Sequence, residues 1–435
     1  MLTLLAPLLI LIISFATHFV FFGLPHEVVF DEVFNGKFLE AYRQGMYFFD
    51  VHPALPKLLT FLLGNFTGIP AGIDFSIIGN PLPPEIIILR ILPLIAGTLL
   101  PLILYYICRY LNISVLGSFT MGILLCFENS LIIQSRFILY DSFLHIFGFS
   151  SILLYLIYSK YSDRKYIIWL SALLAAGAIC TKWTGLAFPL LIFIMEMIRT
   201  KKIRDMIKFS IPYILVGIVM YISVFAIHFS LLPRSGTGDV FMTERFQKTL
   251  TGNIYENDPT YKPKGFFGKF FELNVKMVET GVTENNFASK WYTWPLMKRS
   301  MFYWQNFNAG QYIYLIGNPL LYWLGTLSIL ILALYTFIKK RFTNTALFIL
   351  IGYSVNFFPF MLIHRPMFIY HYQAALIFSI MAIIYLIEQF SAQKKIYIGL
   401  IVASFIVFLF FSPITYGLPI TQEQLDMRMW FPSWR

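Results

Sequence analysis

The chain has 435 residues, of which 58% are hydrophobic, 18% aromatic and 13% charged, and its formal net charge is +11 at pH 7. Soluble domains average about 25% charged residues. This composition therefore excludes an ordinary soluble protein and indicates an all-α polytopic membrane protein. The basic excess lies mostly in short loops between apolar segments, where it serves membrane topology, so no nucleic-acid partner is expected.

Long apolar segments recur along the chain and predict its membrane-spanning helices. A spanning helix needs about 20 mostly apolar residues. By this measure the sequence predicts about eleven transmembrane helices, within one domain covering residues 1–435. The predicted spans are residues 3–22, 86–107, 114–133, 137–158, 166–181, 184–198, 209–230, 312–337, 344–363, 367–388 and 396–413. Two long external loops, about 23–85 and about 231–311, interrupt them.

The distribution of lysine and arginine predicts the orientation, because loops on the cytoplasmic side of a membrane are enriched in both. One set of loops is strongly basic: Arg109; Lys160, Arg164 and Lys165; Arg199, Lys201, Lys202, Arg204 and Lys208; Lys339, Lys340 and Arg341; Lys394 and Lys395. The short turns on the other side carry one basic residue each. The sequence therefore predicts a cytoplasmic N-terminus and places both long loops outside.

Two adjacent acids, Asp31 and Glu32, stand just beyond the first predicted span, and Asp50 and His52 follow in the same loop. Ionisable groups beside a membrane helix are costly and are functional candidates by default. Two plainer interpretations remain open. The acidic pair could belong to a solvated loop, and Asp50 and His52 could organise the turn before Pro53.

Further ionisable residues fall at the external ends of spans that are far apart in sequence. They are Arg90, Glu128, Arg136, Asp141, Lys182, Arg234 and His371. The simplest interpretation is one polar cavity at the external interface. As structural alternatives, Lys182 could reach along the interface to water, and the three residues Glu128, Arg136 and Asp141 could form an ion-pair cluster between helices.

The mixture of acids and cations indicates a reaction type. A carboxylate can serve as a general base, and arginine or lysine can hold a phosphate. Together at a lipid interface they favour glycosyl transfer from a lipid-linked phospho-sugar, whose phosphate leaves with developing negative charge. The sequence has no Walker-type phosphate loop, no HExxH and no other metal-ligand spacing. We therefore expect no required cofactor and no metal site, although several acids in one cavity could bind a divalent cation weakly.

Ordered motifs containing these residues carry a family resemblance that runs almost from end to end. The longest are Phe30-Asp31-Glu32-Val33, Tyr47-Phe48-Phe49-Asp50-Val51-His52-Pro53, Gln134-Ser135-Arg136-Phe137-Ile138-Leu139-Tyr140-Asp141-Ser142, Thr181-Lys182-Trp183-Thr184-Gly185, Lys290-Trp291-Tyr292-Thr293-Trp294-Pro295 and Tyr370-His371-Tyr372. At these residues the chain resembles the protein O-mannosyltransferases, glycosyltransferase family 39, which have the GT-C membrane fold.

The resemblance implies transfer of mannose from polyprenyl-phosphate mannose to Ser or Thr hydroxyls of translocated proteins, with inversion at the sugar. It implies Asp31 as the general base and Glu32 as a supporting acid. Arg90 would bind the donor phosphate, with Lys182 or Arg234. The supporting residues would be Asp50, His52, Glu128, Arg136, Asp141 and His371.

One departure concerns the large external loop. Eukaryotic members of the family carry a β-trefoil MIR domain there, whereas residues 231–311 are too few for one and show no such strand pattern. The sequence thus predicts a bacterial or archaeal type without a MIR domain. It would be a multi-pass plasma-membrane protein with an external site, or an ER protein with a luminal site if eukaryotic.

Two other functions fit parts of the pattern. A related GT-C transferase would use another polyprenyl-phosphate sugar or a lipid acceptor, as the lipid A aminoarabinose transferases do. A transporter would place its charged site near the middle of the bilayer and often shows inverted repeats. Here no repeat is visible and the costly residues gather at one face, which favours the O-mannosyltransferase interpretation.

Overall fold

The computed structural model is dominated by helices and describes residues 2–161, 164–280, 287–340 and 342–435. Residues 281–286 of the predicted large loop, and the basic residue Arg341, lie outside the described residues. The first half of the chain contains α1 (Leu2–Phe19), α2 (Glu32–Gln44), α3 (Leu55–Phe66), α4 (Ile91–Tyr110), α5 (Val115–Cys126), α6 (Asn129–Arg136), α7 (Asp141–Lys160), α8 (Tyr166–Thr181), α9 (Ala187–Thr200) and α10 (Ile203–Leu231).

The second half begins with the large external loop and returns to long helices. Its elements are α11 (Glu244–Gln247), α12 (Phe266–Glu279), β1 (Met301–Asn306), β2 (Gln311–Leu315), α13 (Pro319–Ile338), α14 (Asn344–Phe357), α15 (Gln373–Ile387), α16 (Gln393–Tyr416) and α17 (Gln422–Asp426). The two strands pair antiparallel, with Trp304 opposite Ile313.

Eight of the described helices are long and apolar enough to cross a membrane, and α5 with α6 makes a ninth if that bent pair is one span. The chain is therefore an integral multi-pass membrane protein. Each of the eleven predicted segments contains a helix, but α1 and α8 are apolar helices that fall below the length of a candidate span. The number eleven accordingly stays a prediction.

Three predicted segments differ in detail from the structure, whereas the bounds of the two external loops stay predictions. The span predicted at 114–133 bends by 56° between α5 and α6, because the Glu128 carboxylate accepts the Leu131 N–H at 2.7 Å and begins a new helix. The start of the span predicted at 312–337 is strand β2, since a short apolar run does not distinguish a strand from a helix. The loop predicted at 23–85 contains helices α2 and α3.

Helix α15 lies at the centre of the bundle and α10 at its edge. In the apolar part of Ile369–Ile387, which ends with α15, 83% of the residues are buried inside the protein. In the apolar part of α10 the buried share is only 22%. Helix α15 packs on α13 and α14, and α7 packs on α4 and α8. Close approach depends on small residues, since a Cβ at Gly148 would overlap the ring of Phe188. The candidate site lies at one end of these packed helices.

Candidate active site

Asp31 is held at the start of α2 by the backbone around it. Phe30 has a φ of +47°, in the left-handed region that a bulky residue rarely adopts. Its N–H donates to the carbonyl of Tyr303 in strand β1 at 3.2 Å, and its ring stacks on the Tyr303 ring with centroids 4.2 Å apart. The β-hairpin thus fixes the direction in which the Asp31 side chain leaves the chain.

The carboxylate of Asp31 is not used to stabilise the fold. Aspartate at the first position of a helix usually accepts an N–H from the first turn. Asp31 occupies that position, yet its backbone is helical and its side chain caps nothing. It is half-buried and accepts no hydrogen bond from the part of the chain that the structure describes. Such a carboxylate is free to take a proton from a bound molecule.

Glu32, by contrast, is fully committed inside the protein. Its side chain is completely buried and accepts hydrogen bonds from Arg90 Nε at 2.8 Å and Arg90 Nη2 at 2.7 Å. It also accepts the backbone N–H groups of Val29 at 3.0 Å and Ile138 at 2.9 Å. These contacts give Glu32 a positioning role, in which it holds the turn that carries Asp31, and its role as the supporting acid stays a prediction.

Arg90 is committed to the same buried network. All five guanidinium N–H groups donate within the protein, two to Glu32 and the others to the carbonyls of Gly23, Pro25 and Glu27. No N–H group remains for a ligand, and the side chain is 1% exposed. In this geometry Arg90 braces the external loop, and its binding of the donor phosphate stays a prediction.

Asp141 and Lys182 form an ion pair where α7 begins and α8 ends. Lys182 Nζ donates to both carboxylate oxygens of Asp141 at 2.8 Å. The same ammonium lies 5.2 Å from the centre of the Tyr370 ring, a cation–π distance. Since an ammonium has three N–H donors, one remains for an anion. Lys182 is thus anchored beside the acids and is not a side chain reaching for water.

Asp50 and His52 lie on the turn before α3, and Lys57 lies in the first turn of that helix. Lys57 pairs with Asp50, and it also donates to the carbonyls of His52 and Pro53, each at 3.0 Å. Burial lowers the pKa of His52 well below its ordinary value, and the nearby cations Lys182, Arg365 and Lys57 lower it further. The His52 imidazole is therefore neutral at pH 7. Through Lys57, Asp50 is linked to this turn, and the supporting roles of Asp50 and His52 stay predictions.

Electrostatic interactions connect these groups into one cluster. Enclosure by the protein raises the pKa of Asp31 from 3.8 to about 7. The Lys182 ammonium opposes that rise, whereas the Asp141 and Asp50 carboxylates add to it. Arg365 interacts with Asp50 and makes no side-chain hydrogen bond to a described residue. The cluster thus holds a base that titrates near neutrality and a cation without a fixed partner.

A cavity of about 290 Å³ opens beside the Asp141–Lys182 pair. Its walls include Asp141, His371, Tyr370 and Trp183, and most of the remaining lining is apolar. His371 hydrogen-bonds through Nδ1 to the backbone of Phe368, and its ring stacks on Tyr370 with centroids 4.5 Å apart. Of the predicted site residues only Asp141 and His371 line this largely apolar cavity, so the single polar cavity stays a prediction.

Glu128 and Arg136 serve the fold away from this cluster. Glu128 accepts N–H groups at the starts of α6 and α13, including that of Asn318 at 2.8 Å. Arg136 donates to the carbonyls of His18, Val20 and Phe21 at the end of α1. Neither residue pairs with Asp141, so the ion-pair cluster proposed as an alternative is wrong. Their contacts are structural, and their supporting roles at the site stay predictions.

Arg234 is exposed, and only its backbone is engaged, with Gly45 and Tyr47. Its side chain forms no hydrogen bond or ion pair with a described residue, so nothing joins it to Lys182. Its predicted contact with the donor phosphate stays a prediction.

Tyr303 is a residue near Asp31 that the sequence did not predict for the site. Its buried hydroxyl has no hydrogen-bond partner in the described chain and lies within the electrostatic field of Asp31.

The arrangement of acids bears on metal binding. Among residues 2–161, 164–280, 287–340 and 342–435, no group of three or more His, Cys, Asp or Glu side chains is placed to share a metal ion. Asp50 and Asp141 each neutralise a lysine instead. The absence of a required cofactor, and weak binding of a divalent cation, both stay predictions.

Comparison with solved structures identifies the fold. The chain superposes on the structure of the S. cerevisiae protein O-mannosyltransferase Pmt1-Pmt2 complex bound to the sugar donor, with a TM-score of 0.91 and 19% identity, covering 100% of this chain and 93% of that chain. It also matches the apo oligosaccharyltransferase of Archaeoglobus fulgidus, with a TM-score of 0.59 and 12% identity, covering 98% of this chain and 57% of that one. The protein therefore has the GT-C fold of membrane glycosyltransferases.

Sequence comparison identifies the family. Residues 8–233, more than half of the chain, match the family model of dolichyl-phosphate-mannose-protein mannosyltransferases. Residues 266–434 match that of the C-terminal four-transmembrane region of protein O-mannosyltransferases. The chain belongs to the protein O-mannosyltransferase family, as the motifs predicted.

Two curated relatives illustrate how far the similarity extends. The chain is 32% identical over 297 residues to dolichyl-phosphate-mannose–protein mannosyltransferase 4 of Candida albicans, covering 63% of this chain and 38% of that protein. It is 33% identical over 261 residues to protein O-mannosyltransferase 1 of Drosophila melanogaster, covering 56% of this chain and 30% of that protein. The chain thus aligns with only about a third of the length of these relatives.

Proposed function

We propose that the protein transfers mannose from polyprenyl-phosphate mannose to Ser or Thr hydroxyls of translocated proteins. The observation that carries the proposal is the Asp31 carboxylate, which is half-buried, accepts no hydrogen bond from the described chain and interacts electrostatically with Lys182. The activity named for the relatives, mannosyl transfer from dolichyl-phosphate mannose to protein, needs such a base. The donor, the acceptor and the bilayer are thus the proposed partners.

The chemistry follows from what each group can do. Asp31 takes the proton of the acceptor hydroxyl, and the resulting oxygen attacks C1 of the mannose from the face opposite the phosphate. The C1–O bond breaks with its electron pair going to the phosphate. Lys182 and Arg365 offer the N–H groups that stabilise this charge. A single displacement inverts C1, and the proton on Asp31 then passes to water.

An apolar groove next to the cavity supports a polyprenyl donor. The groove has a volume of about 500 Å³ and lies along α8, α10 and α12. Trp183 and Leu186 line both the groove and the cavity beside Lys182. A lipid chain in the groove would therefore present its phosphate to Lys182 while its hydrocarbon stays among apolar side chains.

Blocking the groove is expected to weaken binding of the lipid chain. Gly217 lies in the groove, and a Cβ built there meets no atom within 4 Å. We expect Gly217→Trp to lower kcat/KM about tenfold for a long-chain donor, because displacing two methylenes is enough for that loss. A donor with a short lipid should be affected much less. The measurement is the initial transfer rate with both donors.

Gly399 provides the matched control, since it also has open space around its Cα and lies on α16, outside the groove. Gly399→Trp should leave both rates at the native level. Equal losses for long-chain and short-chain donors in Gly217→Trp would refute the placement of the lipid chain.

The pKa of Asp31 predicts how the rate depends on pH. With a pKa of about 7, the carboxyl is mostly protonated at pH 6 and mostly ionised at pH 8, and only the ionised form is a base. We expect kcat/KM to rise about tenfold from pH 6 to pH 8 and then to level off. Initial rates at constant ionic strength test this, and a flat profile over that interval would contradict Asp31 as the base.

We further propose that the N-terminus is cytoplasmic and that the candidate site lies on the opposite side of the membrane. That side is the outside of the cell for a plasma-membrane protein and the lumen for an ER protein. The cluster forms where α7 begins and α8 ends, whereas the strongly basic loops follow α7 and α9 at the other end. This distribution is what the preference of lysine and arginine for the cytoplasmic side predicts. Cysteine labelling at Lys202 and at Asp74 from either side of the membrane would test it.

The decisive experiment is transfer of radiolabelled mannose to a Ser/Thr-rich peptide, using membranes that contain the native chain. Label on the peptide is the expected result. Label on lipid instead would support a related GT-C transferase with a lipid acceptor. Transfer of another sugar but not of mannose would change the donor assignment and leave the fold and base unaffected.

A further inference from the structure

A second large cavity lies at the opposite end of the helices from the candidate site. It has a volume of about 560 Å³ and is formed where α7 and α9 end and α8 and α10 begin. Four basic side chains, Lys165, Arg199, Lys202 and Lys208, line it together with two acidic ones, Glu196 and Asp205. The lining therefore carries a net positive charge.

The length of α8 separates this basic cavity from the catalytic cluster. Lys165 directly precedes α8 and Lys182 directly follows it. The helix has 16 residues, so at 1.5 Å per residue it spans about 24 Å. A ligand in the basic cavity cannot be the reacting end of a substrate bound beside Lys182.

Arg199 is held ready for a ligand. Its Nε and Nη2 donate to the two oxygens of Glu196 at 2.8 and 2.7 Å. Glu196 is 2% exposed, and it also accepts the Tyr155 hydroxyl at 3.3 Å. The guanidinium is thereby fixed in orientation, while its Nη1 group donates to no described residue. An anion at this position would meet an already oriented arginine.

The lysines of the cavity are not consumed by internal ion pairs. Lys165, Lys202 and Lys208 are exposed, and their side chains form no hydrogen bond or ion pair with a residue that the structure describes. Lysines so placed bind phosphate as mobile point charges. Three of them beside one oriented arginine give the cavity a positive charge that attracts a phosphate group.

One wall of the cavity is apolar and open to the surroundings. Trp169 and Ile211 line it and are 45% and 43% exposed, respectively. Tryptophan concentrates at the level of lipid headgroups, where its ring is half in hydrocarbon. A ligand with a phosphate and attached acyl chains can bind the basic side chains through its phosphate and pack its chains against Trp169 and Ile211.

We propose that this cavity binds the phosphate headgroup of an anionic phospholipid from the adjoining leaflet. Free phosphate carries the same kind of anionic group as this headgroup. Only the lipid also has acyl chains that can contact the apolar wall, and this difference distinguishes the two ligands. Juxtamembrane lysines and arginines attract anionic lipids in the same way, with an effect that adds over the residues.

The test uses the purified full chain in detergent and short-chain phosphatidylglycerol as the probe. Phosphatidylcholine of the same chain length and inorganic phosphate are the comparison ligands, and affinity is read from the shift in thermal midpoint. We expect phosphatidylglycerol to bind tightest. The triple variant Lys165→Gln/Lys202→Gln/Lys208→Gln should weaken its binding about a hundredfold. The matched control Lys339→Gln/Lys394→Gln/Lys395→Gln, at exposed lysines elsewhere, should bind like the native chain.

A second measurement is the quenching of Trp169 fluorescence by brominated lipids. The contribution of Trp169 is obtained by subtracting the fluorescence of Trp169→Phe from that of the native chain. Stronger quenching by brominated phosphatidylglycerol than by brominated phosphatidylcholine is expected. Equal affinity for the two lipids, or native affinity in the triple variant, would overturn the proposal. Equal binding of inorganic phosphate and phosphatidylglycerol would overturn the lipid as its occupant.

Discussion

Asp31→Asn is expected to reduce mannosyl transfer by on the order of 10³-fold, because asparagine has the same size but cannot accept the proton of the acceptor hydroxyl. The side chain accepts no hydrogen bond from the described chain and does not cap α2. The substitution should therefore leave membrane insertion unchanged, and it should not lower the thermal midpoint, because enclosure by the protein already disfavours the ionised carboxylate. Radiolabel transfer to the peptide, normalised to folded protein, measures the effect.

The control for this variant is Glu85→Gln. Glu85 is an exposed acid in the same external segment and forms no side-chain hydrogen bond or ion pair with a described residue. It should retain native turnover. Turnover of Asp31→Asn within tenfold of the native rate would exclude Asp31 as the base, and the acids Asp50 and Asp141 would then be tested in the same way.

The sequence predicted the membrane class and the site's general position for a simple physical reason. Ionisable residues are too costly within hydrocarbon to be placed there without function, so counting spans assigns Asp31, Asp141, Lys182 and His371 to one end of the bundle. The structure brings Asp141 and Lys182 into contact and links both electrostatically to Asp31.

What the sequence did not predict is how each charge is used. Arg90 and Lys182 are both cations at external helix ends, yet Arg90 donates to the Glu32 carboxylate and to three carbonyls of a non-helical turn, whereas Lys182 keeps a free N–H. The three carbonyls belong to the backbone, and no residue pattern reveals them. The hairpin that supports Phe30 was missed for another reason, since Tyr312–Leu315 is as apolar as the helix after it.

Glu32→Gln is expected to destabilise the fold strongly, because it breaks the buried ion pair between Glu32 and Arg90. Both side chains are at most 1% exposed. Glu32→Gln leaves the Arg90 charge buried and without its counter-ion, which costs about 3–5 kcal/mol of stability. We expect a large drop in the thermal midpoint in detergent. Glu279→Gln, in the exposed Lys276–Glu279 pair, should cost no more than about 1 kcal/mol.

Arg90→Lys separates the two roles kinetically, because lysine keeps the charge but cannot make five directed hydrogen bonds. If Arg90 supports the loop, its replacement loosens the turn that carries Asp31, and the thermal midpoint and kcat fall together. The donor KM of the folded fraction then stays near the native value. The double variant Glu32→Gln/Arg90→Gln should then be no less stable than Glu32→Gln, since the second change removes the unpaired charge. A raised donor KM with an unchanged midpoint would instead restore Arg90 as the phosphate ligand and would require its network of carbonyls to open when the donor binds.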